Sequence, residues 1–355
     1  MATTELPGRG TAQSPPNRFE QLHFEPDPDL EPDPGEERAP EPTRYYRDAS
    51  RSILAENSSP DVGFRWSVNP YRGCEHGCVY CYARPSHEYL GWSAGLDFER
   101  RLLVKTDAPQ LLRRALAAPR WQPDVIALSG NTDCYQPIER RLRLTRGVLE
   151  VLHELRNPVG VITKSALVAR DVDLLAGLAE HGAVHVRVSV TTLDPELARR
   201  MEPRAATPER RLDAVARLAA AGVPVGVMAA PIIPGLNDAE IPRILEAAAA
   251  AGARNASWVL LRLAAPLDEL FTHWLAKHYP ERRDKVLHRI RETRAGRLSD
   301  STFGKRMRGE GEYARQIAAL FEASARKNGL AEPLPPLVTS AFRRPSQRGE
   351  QLSLL

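Results

Sequence analysis

The sequence predicts an α/β fold, a partial (βα)6 TIM-like barrel with a C-terminal helical extension and disordered termini. Three observations carry this. Short apolar, β-branched runs alternate with helix-length segments between Phe64 and Leu263, the pattern of a parallel sheet covered by helices. Counting the strand predicted before the cysteines, there are six such units, too few for a closed eight-stranded barrel. Both ends of the chain are rich in Pro and charged residues and show neither helical nor strand periodicity.

Residues 1–44 form the leader. Its centre, from Glu25 to Pro34, alternates Pro with Asp and Glu and has too few apolar side chains to offset the entropy of ordering. A disordered acidic leader is expected, with room for one ordered patch near Asn17, Arg18 and Phe19. The barrel is expected over 45–265. Its predicted strands are Phe64 to Val68, Asp124 to Ser129, Val159 to Thr163, Val184 to Thr191, Val223 to Ala230 and Ser257 to Leu263. The helices between them are predicted at Pro109 to Ala118, Leu144 to Leu155, Val172 to Glu180, Pro208 to Ala221 and Glu240 to Ala251. In such a fold, polar residues just after each strand are the ones placed for chemistry. A helical extension follows over 266–330, with segments Leu267 to His278, Arg282 to Arg294 and Glu312 to Lys327. Residues 331–355 read as a flexible basic tail.

The chain has 355 residues, a formal net charge of +4 and only four cysteines. This charge permits a nucleic-acid partner without demanding one. No apolar run reaches the length of a membrane span and the N-terminus lacks a signal-peptide core, so a cytoplasmic protein without membrane contact is expected. Three of the cysteines, Cys74, Cys78 and Cys81, fall within eight residues at C-x3-C-x2-C spacing, which is a metal-binding arrangement and not a disulfide framework. Gly73 and Gly77 allow the tight turns by which such a loop curls round its metal. Three thiolates suit a [4Fe-4S] cluster with one open iron; zinc is the alternative, with His76 or His87 as fourth ligand.

The stretch Cys74-Glu75-His76-Gly77-Cys78-Val79-Tyr80-Cys81-Tyr82 resembles the cluster loop of radical S-adenosylmethionine (radical SAM) enzymes, and its tyrosines resemble those of the spore photoproduct lyase branch. The resemblance runs from about Trp66 to Leu263. It implies a [4Fe-4S] cluster on Cys74, Cys78 and Cys81, S-adenosylmethionine on the open iron, and cleavage to a 5′-deoxyadenosyl radical that abstracts a substrate hydrogen. The cofactor supplies that chemistry and the protein orients it. The same resemblance implies S-adenosylmethionine contacts from Tyr80 and Tyr82, from Gly130, Thr132 and Asp133 after the second strand, from Lys164 after the third, from Ser189 on the fourth, and from the Ala230-Pro231 backbone after the fifth. Spore photoproduct lyase uses a cysteine near its second strand end as hydrogen donor. Here the aligned position is Gly130, and Cys134 lies four residues further on, either a displaced catalytic donor or a buried small hydrophobe.

Two further features bear on partners. Gln351-Leu352-Ser353-Leu354-Leu355 resembles the peptide by which bacterial DNA polymerases and repair proteins bind the sliding clamp, and Lys305, Arg306 and Arg308 offer phosphate contacts. The resemblance also implies an electron donor such as flavodoxin or ferredoxin. A radical SAM enzyme of nucleic-acid repair or modification is therefore expected. The rivals are a radical SAM enzyme acting on RNA, protein or a metabolite, and a non-catalytic metal-bearing binding protein.

Overall fold

The computed structural model of the protein describes residues 8–19 and 42–344. Its strands are β1 (Arg44–Arg47), β2 (Leu54–Glu56), β3 (Trp66–Val68), β4 (Tyr71–Arg72), β5 (Arg101–Val104), β6 (Ile126–Leu128), β7 (Val159–Thr163), β8 (Val184–Ser189), β9 (Val225–Ile232) and β10 (Asn255–Leu260). Its α-helices are α1 (Leu96–Arg100), α2 (Ala108–Ala117), α3 (Glu139–Leu142), α4 (Leu144–Leu155), α5 (Val172–Ala179), α6 (Pro195–Met201), α7 (Pro208–Ala220), α8 (Ile241–Ala250), α9 (Leu267–His278), α10 (Arg283–Glu292) and α11 (Glu312–Lys327).

The main sheet runs β10-β9-β8-β7-β6-β3-β2, with β3 and β6 to β10 all parallel and β2 antiparallel at the edge. These are the six strands that the alternation predicts. Side chains alternate across it. Val159, Val161, Val184, Val186, Val188, Val225 and Val227 face Leu149, Leu152, Leu175, Leu178, Leu218 and Leu245 of the covering helices in one core. Each such side chain contributes about 1.5–3 kcal/mol when buried, so this face fixes the register. The alternate residues, including Gly160, Ile162, Arg187, Ser189, Gly226 and Met228, therefore face the barrel interior.

The structure departs from the sequence reading at three places. A second sheet, β1-β5-β4, stands beneath the cysteine loop; its strands span two to four residues and β1 is exposed throughout, so no alternation marks them. The leader is not uniformly disordered. Residues 8–19 pack on the loop that follows the cysteines: Leu96 N–H donates to Gln13 O at 3.0 Å, Asn17 Nδ2 to Glu88 O at 2.8 Å, and Arg18 pairs with Glu88. Those partners lie some 70 residues away, beyond reach of local composition. The tail, too, is ordered at its start, with Val338 N–H donating to Gly182 O at 2.9 Å and Arg343 N–H to Leu155 O at 2.8 Å.

The helical extension divides between two cores. α9 and α10 bury Leu270, Phe271, Trp274 and Ile290 against Cys78, Val79 and Tyr80 of the cysteine loop. By contrast, α11 joins the barrel, where Phe321 meets Trp258 of β10 with ring centroids 5.9 Å apart. Among the described residues no helix is long and apolar enough to cross a membrane.

Candidate functional site

The cysteine loop leaves β4 and is held from four sides. Gly73 (φ 82°) and Gly77 (φ 68°) adopt left-handed backbone conformations, and a Cβ on either would lie under 3 Å from His87 or Glu99. Arg84, fully buried, donates to Cys78 O at 2.9 Å, Gly77 O at 3.2 Å and Gly95 O at 2.9 Å, and pairs with buried Glu99 at 2.5 Å. Glu99 also accepts Gly10 N–H at 2.9 Å, which ties the ordered part of the leader to the loop. On the opposite side Gln136 donates to Gly73 O at 3.1 Å and accepts Glu75 N–H at 3.0 Å. Buried Glu75 accepts Ile138 N–H at 2.9 Å and pairs with Arg204.

Sequence reasoning missed Arg84, Glu99, Gln136 and Glu75. Nothing local separates them from surface polar residues; only their burial shows that they shape the loop.

This frame leaves the three thiols free. Cys74 and Cys78 are buried, Cys81 is half-buried, and none is in a disulfide. Burial raises the pKa of all three, while the Lys164 ammonium favours the thiolates of Cys78 and Cys81.

The second strand end lies beside this loop. Ser129 (φ 75°) turns the chain out of β6, and Gly130 is required by packing, since a Cβ there would stand 2.8 Å from Ser67 Cβ. Tyr82 is exposed and its hydroxyl donates to Gly130 O at 3.0 Å, bridging the cysteine loop and this turn. Thr132 is spent on structure, donating to Tyr71 O at 2.6 Å.

Asp133 is the hub. Its carboxylate accepts Thr163 Oγ1 at 2.7 Å and Lys164 N–H at 2.8 Å, and lies 3.4 Å from His76 Nδ1. Burial by itself would push this carboxyl up, but His76, Lys164 N–H and Thr163 together hold it at about 2. A depressed folded-state pKa contributes stability that is present above the unfolded value near 4 and is lost as pH falls through about 2. Replacing Asp133 with Asn is therefore expected to cost about 2 kcal/mol at pH 7 and progressively less between pH 4 and pH 2, read by urea unfolding across that range.

Lys164 and Tyr80 come together, with Nζ 5.7 Å from the ring centroid. Tyr80 is buried and its hydroxyl donates to Glu202, which pairs with buried Arg211; Thr191 Oγ1 also donates to Glu202, at 2.7 Å. Its ring thus packs inward, whereas Tyr82 faces the opening. Ser189 ends β8 and its carbonyl accepts Arg211 at 3.1 Å. Ala230 O accepts Thr191 Oγ1 at 3.3 Å.

Cys134 is not brought to the opening. It has no exposed surface and lies in the main hydrophobic core, where its N–H donates to Ser129 Oγ and its carbonyl accepts Thr145 Oγ1. Of the two readings of Cys134, this placement is that of a buried small hydrophobe, since a donor must reach a substrate radical and this thiol is walled in by side chains.

Among the described residues no three His, Cys, Asp or Glu side chains converge on one point as a single ion requires. A cluster instead takes each thiolate on a separate iron. Three free thiols at this spacing are the donor set that a [4Fe-4S] cluster with one open iron takes. The Radical SAM superfamily matches residues 68–248. The chain belongs to the radical SAM superfamily.

An uncharacterized protein of Mycobacterium tuberculosis (strain H37Rv) is 37% identical over 282 residues, covering 79% of this chain and 80% of its own length. An uncharacterized protein of Methanocaldococcus jannaschii is 29% identical, covering 63% of this chain and 80% of its own. Among solved structures, spore photoproduct lyase complexed with dinucleoside spore photoproduct is similar in fold, with a TM-score of 0.55, 16% identity and 81% of each chain covered. This radical SAM enzyme uses a [4Fe-4S] cluster and S-adenosylmethionine, the cofactors of its superfamily.

Proposed function

We propose that this radical SAM enzyme repairs or modifies nucleic acid, DNA foremost, in the cytoplasm. Cys74, Cys78 and Cys81 would hold the cluster, and Lys164, oriented through Asp133 and Tyr80, would pair with the methionyl carboxylate of S-adenosylmethionine. Tyr82 would lie against the adenosyl group, with Gly130, Thr132, Asp133 and Ser189 shaping the pocket around it. When bound, these cofactors supply a 5′-deoxyadenosyl radical; a flavodoxin or ferredoxin would supply the electron. The chain's own work is to fix that geometry and to exclude water from it.

One observation carries the nucleic-acid reading. Just beyond β10 the Arg262 guanidinium is half-buried beside exposed Tyr82 and the Arg306–Asp61 ion pair, and among the described residues its one hydrogen-bond contact is to Met307 sulfur at 3.8 Å. An unpaired guanidinium next to an exposed aromatic ring suits a phosphate together with a stacked base. Spore photoproduct lyase supports the substrate class as a protein of shared fold solved with a dinucleoside. Its lesion is not carried over, because Cys134 is buried in the core. Gln351, Leu352, Ser353, Leu354 and Leu355, which lie outside the described residues, would tether the enzyme to the sliding clamp.

The test is anaerobic turnover of the reconstituted protein with dithionite and S-adenosylmethionine, with and without ultraviolet-damaged DNA. DNA should bind, increase 5′-deoxyadenosine release, and do both less well with Arg262→Gln, whose binding should lose about one unit of salt slope. DNA that neither binds nor changes the release would remove the nucleic-acid reading.

A further inference from the structure

Within the barrel, one layer below the residues discussed above, stands a cation without a counter-charge. Arg187 lies on β8 beside Ile162 of β7 and Gly226 of β9. Its neighbours in sequence, Val186 and Val188, are fully buried in the core against the helices, so strand alternation points Arg187 to the interior. Ser189, two residues on, faces the same way and sits about 7 Å nearer the cysteine loop.

Arg187 is half-buried, and among the described residues it makes no hydrogen bond or ion pair. Burial lowers its pKa and no carboxylate offsets this. Its electrostatic neighbour is His185, another base, itself hydrogen-bonded to the Pro335 backbone. Other deep arginines in this protein are matched: Arg84 by Glu99 and Arg211 by Glu202. Arg294, fully buried without a carboxylate partner, is satisfied by the Lys305 and Leu261 carbonyls, and half-buried Arg262 touches the Met307 sulfur; among the described residues Arg187 has neither kind of partner.

Its surroundings leave room for a ligand. Gly226 carries no side chain, Asn255 of β10 standing 3.1 Å from where its Cβ would lie, and the open space is one row down, where a Cβ built on Gly160, beside His185, would have no atom within 4 Å. One row above, beside Met228, the Ser257 hydroxyl is buried and lacks a partner. An interior guanidinium without a partner, with an unpartnered hydroxyl one row up and two strands across, suits a planar or tetrahedral oxyanion taken in two-point contact by the guanidinium fork.

We infer that Arg187 is a substrate-binding residue that receives an anionic group, phosphate or carboxylate, inserted into the barrel beneath the cofactor site. The inference rests on the proposed function only in expecting that anion to be phosphate.

The test is calorimetric titration of the full-length, cluster-loaded protein, saturated with S-adenosylmethionine so that the cofactor's carboxylate is already placed. The probes are thymidine 5′-monophosphate and succinate. At least one should bind, about tenfold or more weakly with Arg187→Gln, with part of the affinity regained by Arg187→Lys. Arg243→Gln, on the outer face of α8, serves as control and should bind like the wild type. Unchanged iron content would show that the variants are folded.

Equal affinity in Arg187→Gln, or no binding of either probe by the wild type, would overturn the inference. So would a matching loss of S-adenosylmethionine affinity in Arg187→Gln, which would assign the guanidinium to the cofactor. Arg187-dependent binding of succinate alone would keep this site and count against the nucleic-acid reading. Arg187-dependent binding of the monophosphate supports both.

Discussion

Cys78→Ala is expected to give a folded protein that holds no intact cluster. The side chain lost is small and its neighbours Leu270, Phe271 and Trp274 keep their own packing, so the fold should survive. Iron should fall from about four per chain toward none, the brown colour should disappear, and 5′-deoxyadenosine should drop to that of a protein-free control. Cys74→Ala and Cys81→Ala should behave alike, because each thiolate would hold a different iron. Cluster loading should also rise with pH. Burial raises the pKa of the Cys74 and Cys81 thiols in the metal-free chain, and thiols must lose protons to bind iron. Wild-type iron content that persisted in Cys78→Ala would mean that the loop is not the cluster site.

The second large effect is expected at Arg84. Replacing it with Met removes the donors to Gly77 O, Cys78 O and Gly95 O and leaves Glu99 buried with Gly10 N–H as its remaining side-chain contact of those described. Breaking one side of a buried ion pair costs about 3–5 kcal/mol, whereas removing both charges is far milder. Arg84→Met should therefore lower urea stability by about that amount, and Arg84→Met with Glu99→Leu should recover part of it. The single variant should also lose iron more readily, because two of the carbonyls it releases lie between and at the cluster ligands. A single variant as stable as wild type would show that solvent or a rearranged loop satisfies Glu99.

These two predictions differ in how far the sequence foresaw them. The cysteines were legible because their chemistry is local: three thiols in eight residues have few structural uses, and their spacing already limits how the loop curls. The six parallel strands and their helices were legible because apolar periodicity reports which face is buried. Arg84 was not legible. It is one of 49 Lys and Arg residues, and its function depends on Glu99 from α1 and on carbonyls turned inward by glycines.

The same distinction separates the polar residues after the strands. The resemblance nominated Thr132, Asp133, Lys164, Tyr80, Tyr82 and Cys134, and the structure sorts them by what each touches. Asp133 organises His76, Thr163 and Lys164; Thr132 braces β4; Cys134 sinks into the core. The order of the leader from 8 to 16, ahead of the expected patch near Asn17, Arg18 and Phe19, and the returning tail were invisible because their stability comes from backbone partners supplied by distant parts of the chain.

The sequence by itself determined the strand and helix succession and a metal-binding cysteine loop, since each follows from spacing and periodicity along a short stretch, and the resemblance of that loop to radical SAM enzymes implied the class of chemistry. Only the tertiary structure decided which tyrosine faces the opening, which cysteine is withdrawn from it, and that Arg187 stands uncompensated inside the barrel. Those outcomes depend on burial and charge pairing between residues far apart in the chain, and neither quantity exists until the strands are assembled.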